Sequence, residues 1–243
     1  MKVVCLWSGP RNVSTALMYS FAQRADTSVV DEPLYGHYLR VSGARHPGRE
    51  EVMAAVDCDG DAVMRDLLSP DDSPDRPVLF LKQMAHHLVD LDRNFLDRTV
   101  NVFLIRDPVD MLTSLTIQLP DARLQDTGLE IQWRLLQTLE AGGQQPVVVD
   151  SRELLEDPRG VLRVLCGRLG IEFDESMLSW PAGPRPEDGV WAEHWYQSVH
   201  RSTGFQPYRA KPGFPDELRP LLDECRPYYD KLYARAIRAG ARS

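Results

Sequence analysis

Two short segments of this 243-residue chain contain residues that could bind phosphate groups. The first is the loop Ser8-Gly9-Pro10-Arg11-Asn12-Val13-Ser14-Thr15, and the second combines Arg106 with Ser114. An arginine, hydroxyl groups and free backbone N–H groups can together hold a phosphate through charge-assisted hydrogen bonds. Each segment follows an apolar run and opens a helical pattern, so the two anion sites are expected on one edge of a sheet. Two such sites indicate a doubly phosphorylated nucleotide.

The first loop stands between a predicted strand and a predicted helix. Residues 2–7 form a short apolar run, and apolar residues recur at i, i+4 spacing over 17–22. Ser14 and Thr15 stand where the ordinary nucleoside triphosphatase loop has Gly and Lys, so the loop is not of that type. The alternative is a turn whose polar residues only cap the helix.

The second segment follows residues 100–105, the most strand-like run of the chain. Asp107 is a good N-cap for the helical pattern that comes next. Ser114 then lies about two turns into the predicted helix, where it could reach a phosphate held by Arg106. The alternative is a structural ion pair between Arg106 and Asp107 or Asp110.

Together these segments resemble the sulfotransferases that use 3'-phosphoadenosine 5'-phosphosulfate (PAPS). In that family a basic loop after the first strand holds the 5'-phosphosulfate. An Arg followed eight residues later by a Ser holds the 3'-phosphate, which is the separation of Arg106 and Ser114. Residues 147–169 are similar to a segment of the family in which a strand is followed by a Glu-Asp-Leu element, an Asp-Pro pair and a helix. The resemblance covers residues 1 to about 175 and implies a P-loop-like nucleotide-binding architecture.

The resemblance also implies which residues bind the cofactor PAPS and its product PAP. They are the first loop, Arg106, Ser114 and a C-terminal loop over the 3'-phosphate. The favoured C-terminal loop is Arg201, Ser202, Thr203 and Gly204, and the second candidate is Arg209, Lys211 and Gly213. Ala16 replaces the aromatic residue that commonly stacks on adenine, and Ser151 replaces a common Tyr, so adenine recognition is expected to differ in detail.

Sulfuryl transfer needs a cation at the leaving group and a base for the acceptor. Arg11 is the predicted cation, because it occupies the position of the family's basic loop residue and is always charged. One base segment is a strand that ends at Lys82 and is followed by His86 and His87. It is similar to the family's Lys-Thr-His, with a longer spacing. The other is Glu32, which looks like the Glu-Pro that follows the second strand in some sulfotransferases.

Other interpretations of these candidates stay open. His37 is a third possible base. Asp31 and Glu32 could cap a helix or pair with Arg24, and one of the two adjacent histidines could simply face solvent. The acidic alternation over 57–61 does not continue as a calcium loop would, so no metal site is predicted.

The composition fits a globular enzyme. The chain is 43% hydrophobic and 26% charged, and its net charge of −8 argues against broad nucleic-acid binding. There is no apolar run of about 18 residues for a bilayer, no signal-peptide pattern, and no Cys-x-x-Cys pattern among the four cysteines. These features predict a reduced cytoplasmic protein with a small-molecule or sugar acceptor and no membrane partner. The oligomeric state is not encoded in any pattern.

Strand and helix patterns alternate along the chain. The predicted strands are 2–7, 28–31, 78–82, 100–106 and 146–150. This alternation predicts an α/β fold, with a central parallel sheet flanked by helices on both faces, in a single domain over residues 1–243. An inserted helical or loop subregion is expected at about 37–77, and an aromatic-rich lid at about 180–215.

The predicted function is transfer of a sulfuryl group from PAPS to a hydroxyl or amine by in-line displacement. One alternative is a phosphotransferase or nucleotide hydrolase on a similar scaffold. It would need a loop Lys, which is absent, and a Mg²⁺-binding carboxylate such as Asp31 or Asp107. The other alternative is a catalytically silent nucleotide-binding module.

Overall fold

The computed structural model describes residues 1–69, 76–117, 119–210 and 213–240. Its strands are β1 (Lys2–Ser8), β2 (Thr27–Asp31), β3 (Val78–Met84), β4 (Val100–Ile105), β5 (Val147–Asp150) and β6 (Ala236–Ile237). The first five agree with the predicted strands to within two residues at either end. The short β6 has no clear signal in the sequence.

The helices lie between these strands along the chain. They are α1 (Ser14–Ala22), α2 (Tyr35–Ser42), α3 (Arg49–Ala55), α4 (Gly60–Leu67), α5 (Pro108–Leu115), α6 (Leu124–Thr127), α7 (Leu129–Ala141), α8 (Ser151–Glu156), α9 (Pro158–Leu169), α10 (Ala192–Trp195), α11 (Gln197–His200) and α12 (Arg219–Tyr233). Asp107 caps α5 as predicted, because its carboxylate accepts from the N–H of Val109. In the described parts of the chain, no helix is both long and apolar enough to cross a membrane.

The strands form one six-stranded sheet in the order β2-β3-β1-β4-β5-β6. β2 pairs with β3, β4 with β5 and β5 with β6, in each case in parallel. The predicted α/β fold class, a parallel sheet with helices around it, is therefore confirmed. In β2 and β3 the register places Asp31 opposite Lys82, which brings the ends of two predicted site segments together.

Residue contacts group the chain into two compact units. The first contains Met1–Leu6, Ser14–Asn101 and Ser176–Gly204, and the second contains Trp7–Val13, Val102–Glu175 and Phe205–Ser243. The prediction of a single domain stays a prediction.

In the first unit, α1 packs on β2 and β3, and Phe21 stacks on Phe80 with ring centroids 4.1 Å apart. In the second, α12 packs against α5 and α7, and α9 packs against β5.

The two predicted accessory regions contain regular structure. Helices α2, α3 and α4 fall largely within the expected insertion at 37–77, of which residues 70–75 lie outside the described chain. The segment predicted as a lid contains α10 and α11, and its Trp180, Trp191 and Tyr196 are buried in the first unit. Their roles as insertion and lid stay predictions.

Every residue of β3 is buried, as expected for an inner strand of a parallel sheet. Lys82 is nevertheless in this strand, with a side chain only 2% exposed. A buried ammonium group is strongly destabilising unless it is paired and fully hydrogen-bonded. The partners of Lys82 therefore form a buried polar cluster with it.

Candidate functional site

The first cluster lies in the second unit and joins the two segments predicted to bind phosphate. Arg11 has a left-handed backbone with φ 54°, which is strained for a non-glycine residue. Its Nε donates to Oγ of Ser114 at 2.9 Å, and the guanidinium of Arg106 donates to its carbonyl oxygen. Residues about a hundred positions apart thus share one hydrogen-bond network.

The two arginines of this cluster form no ion pair with a carboxylate of the described ranges, although Asp110 attracts the guanidinium of Arg106 electrostatically. The predicted alternative of a structural ion pair for Arg106 is therefore wrong for Asp107 and stays a prediction for Asp110. Asp107 instead pairs with Arg226 at 3.3 Å. Burial lowers the pKa of Arg106, and the neighbouring charge of Arg11 adds to that effect, while Asp110 opposes it. Two adjacent cations that form no ion pair within the described residues make a site that favours an anion.

The loop that carries Arg11 is held in place by amide and hydroxyl side chains. Asn12 donates from Nδ2 to the carbonyl of Leu104 at 2.9 Å, and its Oδ1 accepts from the hydroxyl of Ser151. That hydroxyl also contacts the carbonyl oxygen of Ile105 at 2.6 Å. The buried Gln132 of α7 donates to carbonyl oxygens of β1 and β4 at 2.9 and 3.0 Å. The sequence prediction did not include Gln132. The one sequence feature that could have indicated it is an amide residue on the buried face of a helix.

Gly9 is required by the close approach of this loop to the start of α7. A Cβ atom at Gly9 would lie 2.6 Å from the carbonyl oxygen of Thr127. The next residue of that turn, Gly128, has φ 75°. The hydroxyl of Ser8 donates to the carbonyl oxygen of the next residue, Gly9, at 2.9 Å.

The other predicted cofactor residues have defined places within their own unit. Pro10 belongs to the loop of the second unit, where Val13 donates its N–H to Oδ1 of Asn12 at 2.9 Å. Ser14 and Thr15 belong to the first unit as the first two residues of α1. Their contact with a nucleotide stays a prediction.

The predicted C-terminal loop also belongs to the first unit. The buried hydroxyl of Ser202 donates to the carbonyl oxygen of Val199 at 2.7 Å and accepts from Nε1 of Trp180 at 3.2 Å. Gly204 forms an isolated antiparallel β-bridge with Ser179, whereas the side chains of Arg201 and Thr203 are exposed. These contacts fix the segment internally, and its placement on a 3'-phosphate stays a prediction.

The second candidate loop is divided between described and undescribed residues. Arg209 is exposed in the second unit, and Gly213 has φ 71°. Lys211 lies outside the described residues.

The second cluster lies in the first unit, around Lys82. Its Nζ donates to Oδ1 of Asp31 at 2.9 Å, to Oε1 of Glu32 at 2.5 Å and to the hydroxyl of Tyr196 at 2.7 Å. All three ammonium protons therefore have an acceptor. The alternative that the two carboxylates pair with Arg24 is wrong, because both pair with Lys82, and Arg24 pairs with Asp26 at 2.8 Å.

The two carboxylates of this cluster differ in how fully they are bonded. Besides Lys82, Asp31 accepts from the hydroxyl of Tyr196 at 2.7 Å and from Nε1 of Trp191 at 3.1 Å. Glu32 is 12% exposed, and its Oε2 has no hydrogen-bond partner within the ranges that the structure describes. Lys82 pairs with both carboxylates, so with all three groups ionised the cluster has one more negative than positive charge.

The electrostatics and backbone of Glu32 suit a proton acceptor. Burial raises the pKa of Glu32; Lys82 opposes the shift and the neighbouring Asp31 adds to it. Its backbone has φ 39°, a second strained non-glycine position at a predicted site residue. Carboxylates with a raised pKa are common general bases.

The adjacent histidines form a third feature of the first unit, packed among aromatic rings. The ring of His87 stacks between Tyr35 and Tyr38 at centroid distances of 5.1 and 4.7 Å. His87 is 1% exposed, whereas His86 is partly exposed, so the expectation that one of them faces solvent is excluded for His87 and stays a prediction for His86. In the described chain, Nδ1 of each ring is buried without a hydrogen-bond partner.

Burial changes the protonation of both histidines in the same direction. It lowers the pKa of His86 from 6.5 to about 4, with His46 adding to the shift, and it lowers the pKa of His87 well below 6.5. His37 differs, because Nε2 meets the carbonyl oxygen of Val89 at 2.8 Å and Nδ1 meets the N–H of Gly60 at 3.2 Å. Both of its ring nitrogens are therefore occupied by the backbone.

Neutral buried histidines predict acid sensitivity. The stability they contribute is present above the unfolded pKa of 6.5 and is lost as the pH falls towards about 4, because only the unfolded chain gains the proton. Urea unfolding should show a stability loss between pH 6.5 and 4 that is less steep in His86→Gln. The partly exposed His194→Gln is the control. Equal pH dependence in wild type and His86→Gln would contradict the assignment.

Comparisons with known proteins bear on the fold and the family. The chain is 41% identical over 233 residues to branched-chain-amino-acid aminotransferase-like protein 1 of Arabidopsis thaliana, covering 95% of this chain and 41% of that protein. It is 38% identical over 234 residues to branched-chain-amino-acid aminotransferase-like protein 2 of Arabidopsis thaliana, covering 96% of this chain and 41% of that protein. The chain thus spans less than half the length of these relatives.

Solved structures share the fold at low sequence identity. A sulfotransferase domain from the curacin biosynthetic pathway has a TM-score of 0.54 at 15% identity, covering 93% of this chain and 97% of that chain. A sulfotransferase from Alicyclobacillus acidocaldarius has a TM-score of 0.56 at 14% identity, covering 98% and 97%. The model of the sulfotransferase domain family matches residues 1–236. The chain therefore belongs to the sulfotransferase domain family, as its motifs predicted.

Proposed function

We propose that this protein transfers a sulfuryl group from PAPS to a hydroxyl or amine of a small-molecule or sugar acceptor in the cytoplasm. The observation that carries this proposal is the cluster of Arg11, Ser114 and Arg106. It combines one hydroxyl with two guanidinium groups that form no ion pair within the described residues, in the segments where the family's phosphate-binding residues are expected. These groups fit a nucleotide that carries two phosphate groups.

The residues of this cluster have separate roles in the proposed reaction. PAPS supplies a sulfuryl group bound to a good leaving group, the phosphate of PAP. Arg106 and Ser114 hold the 3'-phosphate, and Arg11 stabilises negative charge on the phosphate that departs from sulfur. Because a guanidinium does not give up its proton near neutral pH, Arg11 stabilises this charge without protonating it.

Glu32 is the proposed general base. In the transfer step the acceptor oxygen or nitrogen forms a bond to sulfur, its proton passes to Glu32, and the bond from sulfur to the phosphate oxygen breaks. Glu32 offers a raised pKa and an Oε2 atom that has no hydrogen-bond partner among the described residues, whereas burial lowers the pKa of His86 to about 4. A histidine with so low a pKa is a weaker base, so Glu32 is preferred to His86 and His87.

The structure disfavours a Mg²⁺-dependent phosphotransferase. Asp31 is already bonded to Lys82, Tyr196 and Trp191. Asp107 caps α5 and pairs with Arg226. Neither carboxylate is available as a metal ligand without breaking these bonds. A silent module would have no need for Glu32 to be held with one oxygen unbonded beside a buried lysine.

Calorimetric titration with PAP, ADP and ATP tests the cofactor assignment. We expect PAP to bind at least tenfold more tightly than ADP, because only PAP carries the 3'-phosphate for Arg106 and Ser114. Binding of PAP should be the same in EDTA and in Mg²⁺. A preference for ATP that depends on Mg²⁺ would support the phosphotransferase instead. Absence of binding to all three nucleotides would contradict both assignments.

A further inference from the structure

We infer that Tyr196 is a positioning residue that directs the ammonium group of Lys82 and thereby leaves Oε2 of Glu32 open to take the acceptor proton. This inference rests on the proposed function, because it assigns Glu32 the role of base. Tyr196 is far from Glu32 and Lys82 in sequence and lies in the segment predicted as a lid. Its hydroxyl is nevertheless part of the buried cluster.

The hydroxyl of Tyr196 is bonded on both sides. It accepts from Nζ of Lys82 at 2.7 Å and donates to the carboxylate of Asp31, at 2.9 Å from Oδ1 and 2.7 Å from Oδ2. Trp191 adds a second fixed donor, because its Nε1 lies 3.1 Å from Oδ2 of Asp31 and 3.2 Å from the hydroxyl of Tyr196. The Asp31 and Lys82 pair is therefore held by two aromatic side chains of one segment.

This arrangement determines which group accepts the third N–H bond of the Lys82 ammonium. With Tyr196 as an acceptor, Lys82 makes one bond to each of three groups and only one to Glu32. Without the hydroxyl, a buried N–H of Lys82 would lose its partner, which is unfavourable. Oε2 of Glu32 is the acceptor in this cluster that has no bond of its own, so the ammonium would turn towards it. Glu32 would then be bonded through both oxygens and would be a poorer base.

The charged and titratable groups near Glu32 come from several elements. They are Asp31 at the end of β2, Lys82 in β3, Tyr35 in α2 and Tyr196 next to α11. Among these four groups, only the ammonium of Lys82 is a cation. A movement of Lys82 is therefore the change that alters the proton affinity of Glu32 most directly.

Tyr196→Phe tests this inference with a readout that does not require activity. Carbon NMR of the Glu32 carboxyl, assigned by its loss in Glu32→Gln, should show titration at a pH lower by about one unit, since a closer cation favours the ionised form. If PAPS-dependent transfer is observed, kcat should fall about tenfold with unchanged KM for PAPS. An unchanged or upward shift of the carboxyl titration would overturn the inference.

Tyr19→Phe is the matched control. Tyr19 is also a buried tyrosine of the same unit, and its hydroxyl donates to Asp188 at 2.6 Å. Its removal should lower stability to a similar degree and leave the Glu32 titration unchanged. If both variants shift the titration equally, Tyr196 has only a structural role.

Trp191→Phe removes the indole N–H together with one ring of the indole and keeps an aromatic side chain, so it serves as the second variant if Tyr196→Phe does not fold. It should shift the Glu32 titration in the same direction by a smaller amount, and no shift would contradict the inference. A wild-type protein without sulfuryl transfer would refute the proposed function, whereas the NMR titrations would still decide the role of Tyr196.

Discussion

Glu32→Gln is expected to lower kcat by about 10² to 10⁴ while the affinity for PAP stays within twofold of wild type. The amide keeps the size of the side chain and one oxygen near Lys82, but it cannot accept the acceptor proton. PAP binding should persist because the groups proposed to hold it, among them Arg11 and Arg106, belong to another part of the chain. Steady-state kinetics with PAPS, combined with PAP calorimetry, measure both quantities.

His87→Gln is the companion variant for this experiment. It replaces a buried neutral ring in the same unit, so it reports the effect of disturbing the aromatic surroundings without removing Glu32. We expect its kcat to stay within about tenfold of wild type. Normal turnover in Glu32→Gln with a large loss in His87→Gln would move the role of base to the histidine.

The stability of Glu32→Gln gives an independent check on the raised pKa of Glu32. A carboxyl group whose folded pKa is raised contributes stability that is present below the unfolded pKa of about 4.3 and is lost as the pH rises through the folded pKa. The free energy of unfolding of Glu32→Gln, relative to wild type, should therefore increase between pH 4 and 7. A loss of activity accompanied by this gain cannot be attributed to unfolding.

The strands were predictable because buried parallel strands leave near-continuous apolar runs in the sequence. Such runs identify β1, β3 and β4 within two residues, and the turn and capping residues after them identify the starts of α1 and α5. β6 escaped prediction because it has only two residues, Ala236 and Ile237, and this is too short for any periodicity.

The candidate site was predictable where its residues follow strand ends and not where distant segments supply its contacts. Glu32 directly follows β2, and Lys82 lies near the end of the neighbouring parallel strand β3, so their proximity follows from the sheet. Tyr196 and Trp191 reach Asp31 from more than 150 positions away, and nothing local in the sequence indicates that contact. The alternative pairing of Asp31 and Glu32 with Arg24 was wrong, and Asp26, only two residues from Arg24 in the chain, pairs with that guanidinium.

The cluster of Arg11, Arg106 and Ser114 shows the same limit in another form. A family resemblance identified Arg106 and Ser114, but it assigned Ser114 to the phosphate and not to Arg11, with which it is hydrogen-bonded. Asn12 and Ser151 join the loop to the end of β4 through amide and hydroxyl contacts that no motif specifies. Spacing can therefore indicate which side chains meet a ligand, whereas the contacts that preorganise them depend on tertiary packing.

Arg106→Ala is expected to weaken PAP binding by about 1.5–3 kcal/mol, which is roughly 10- to 150-fold, through loss of a charge-assisted contact to the 3'-phosphate. The affinity for adenosine 5'-phosphate should change much less, because that nucleotide lacks the 3'-phosphate. Arg226→Ala, which removes another arginine of the same unit from its pair with Asp107, should leave both affinities unchanged. Calorimetry with the two nucleotides measures the difference.

Arg106→Lys separates the charge of Arg106 from its shape. The guanidinium donates to the carbonyl oxygen of Arg11 and would use its remaining N–H groups for the phosphate, which an ammonium on a flexible stem cannot reproduce in the same geometry. We therefore expect an intermediate affinity for PAP. Equal losses of PAP and adenosine 5'-phosphate binding in Arg106→Ala would mean that Arg106 supports the loop around Arg11 and does not bind the 3'-phosphate. In that case Arg106→Lys should restore both affinities together, because holding the loop requires only one donor to that carbonyl oxygen.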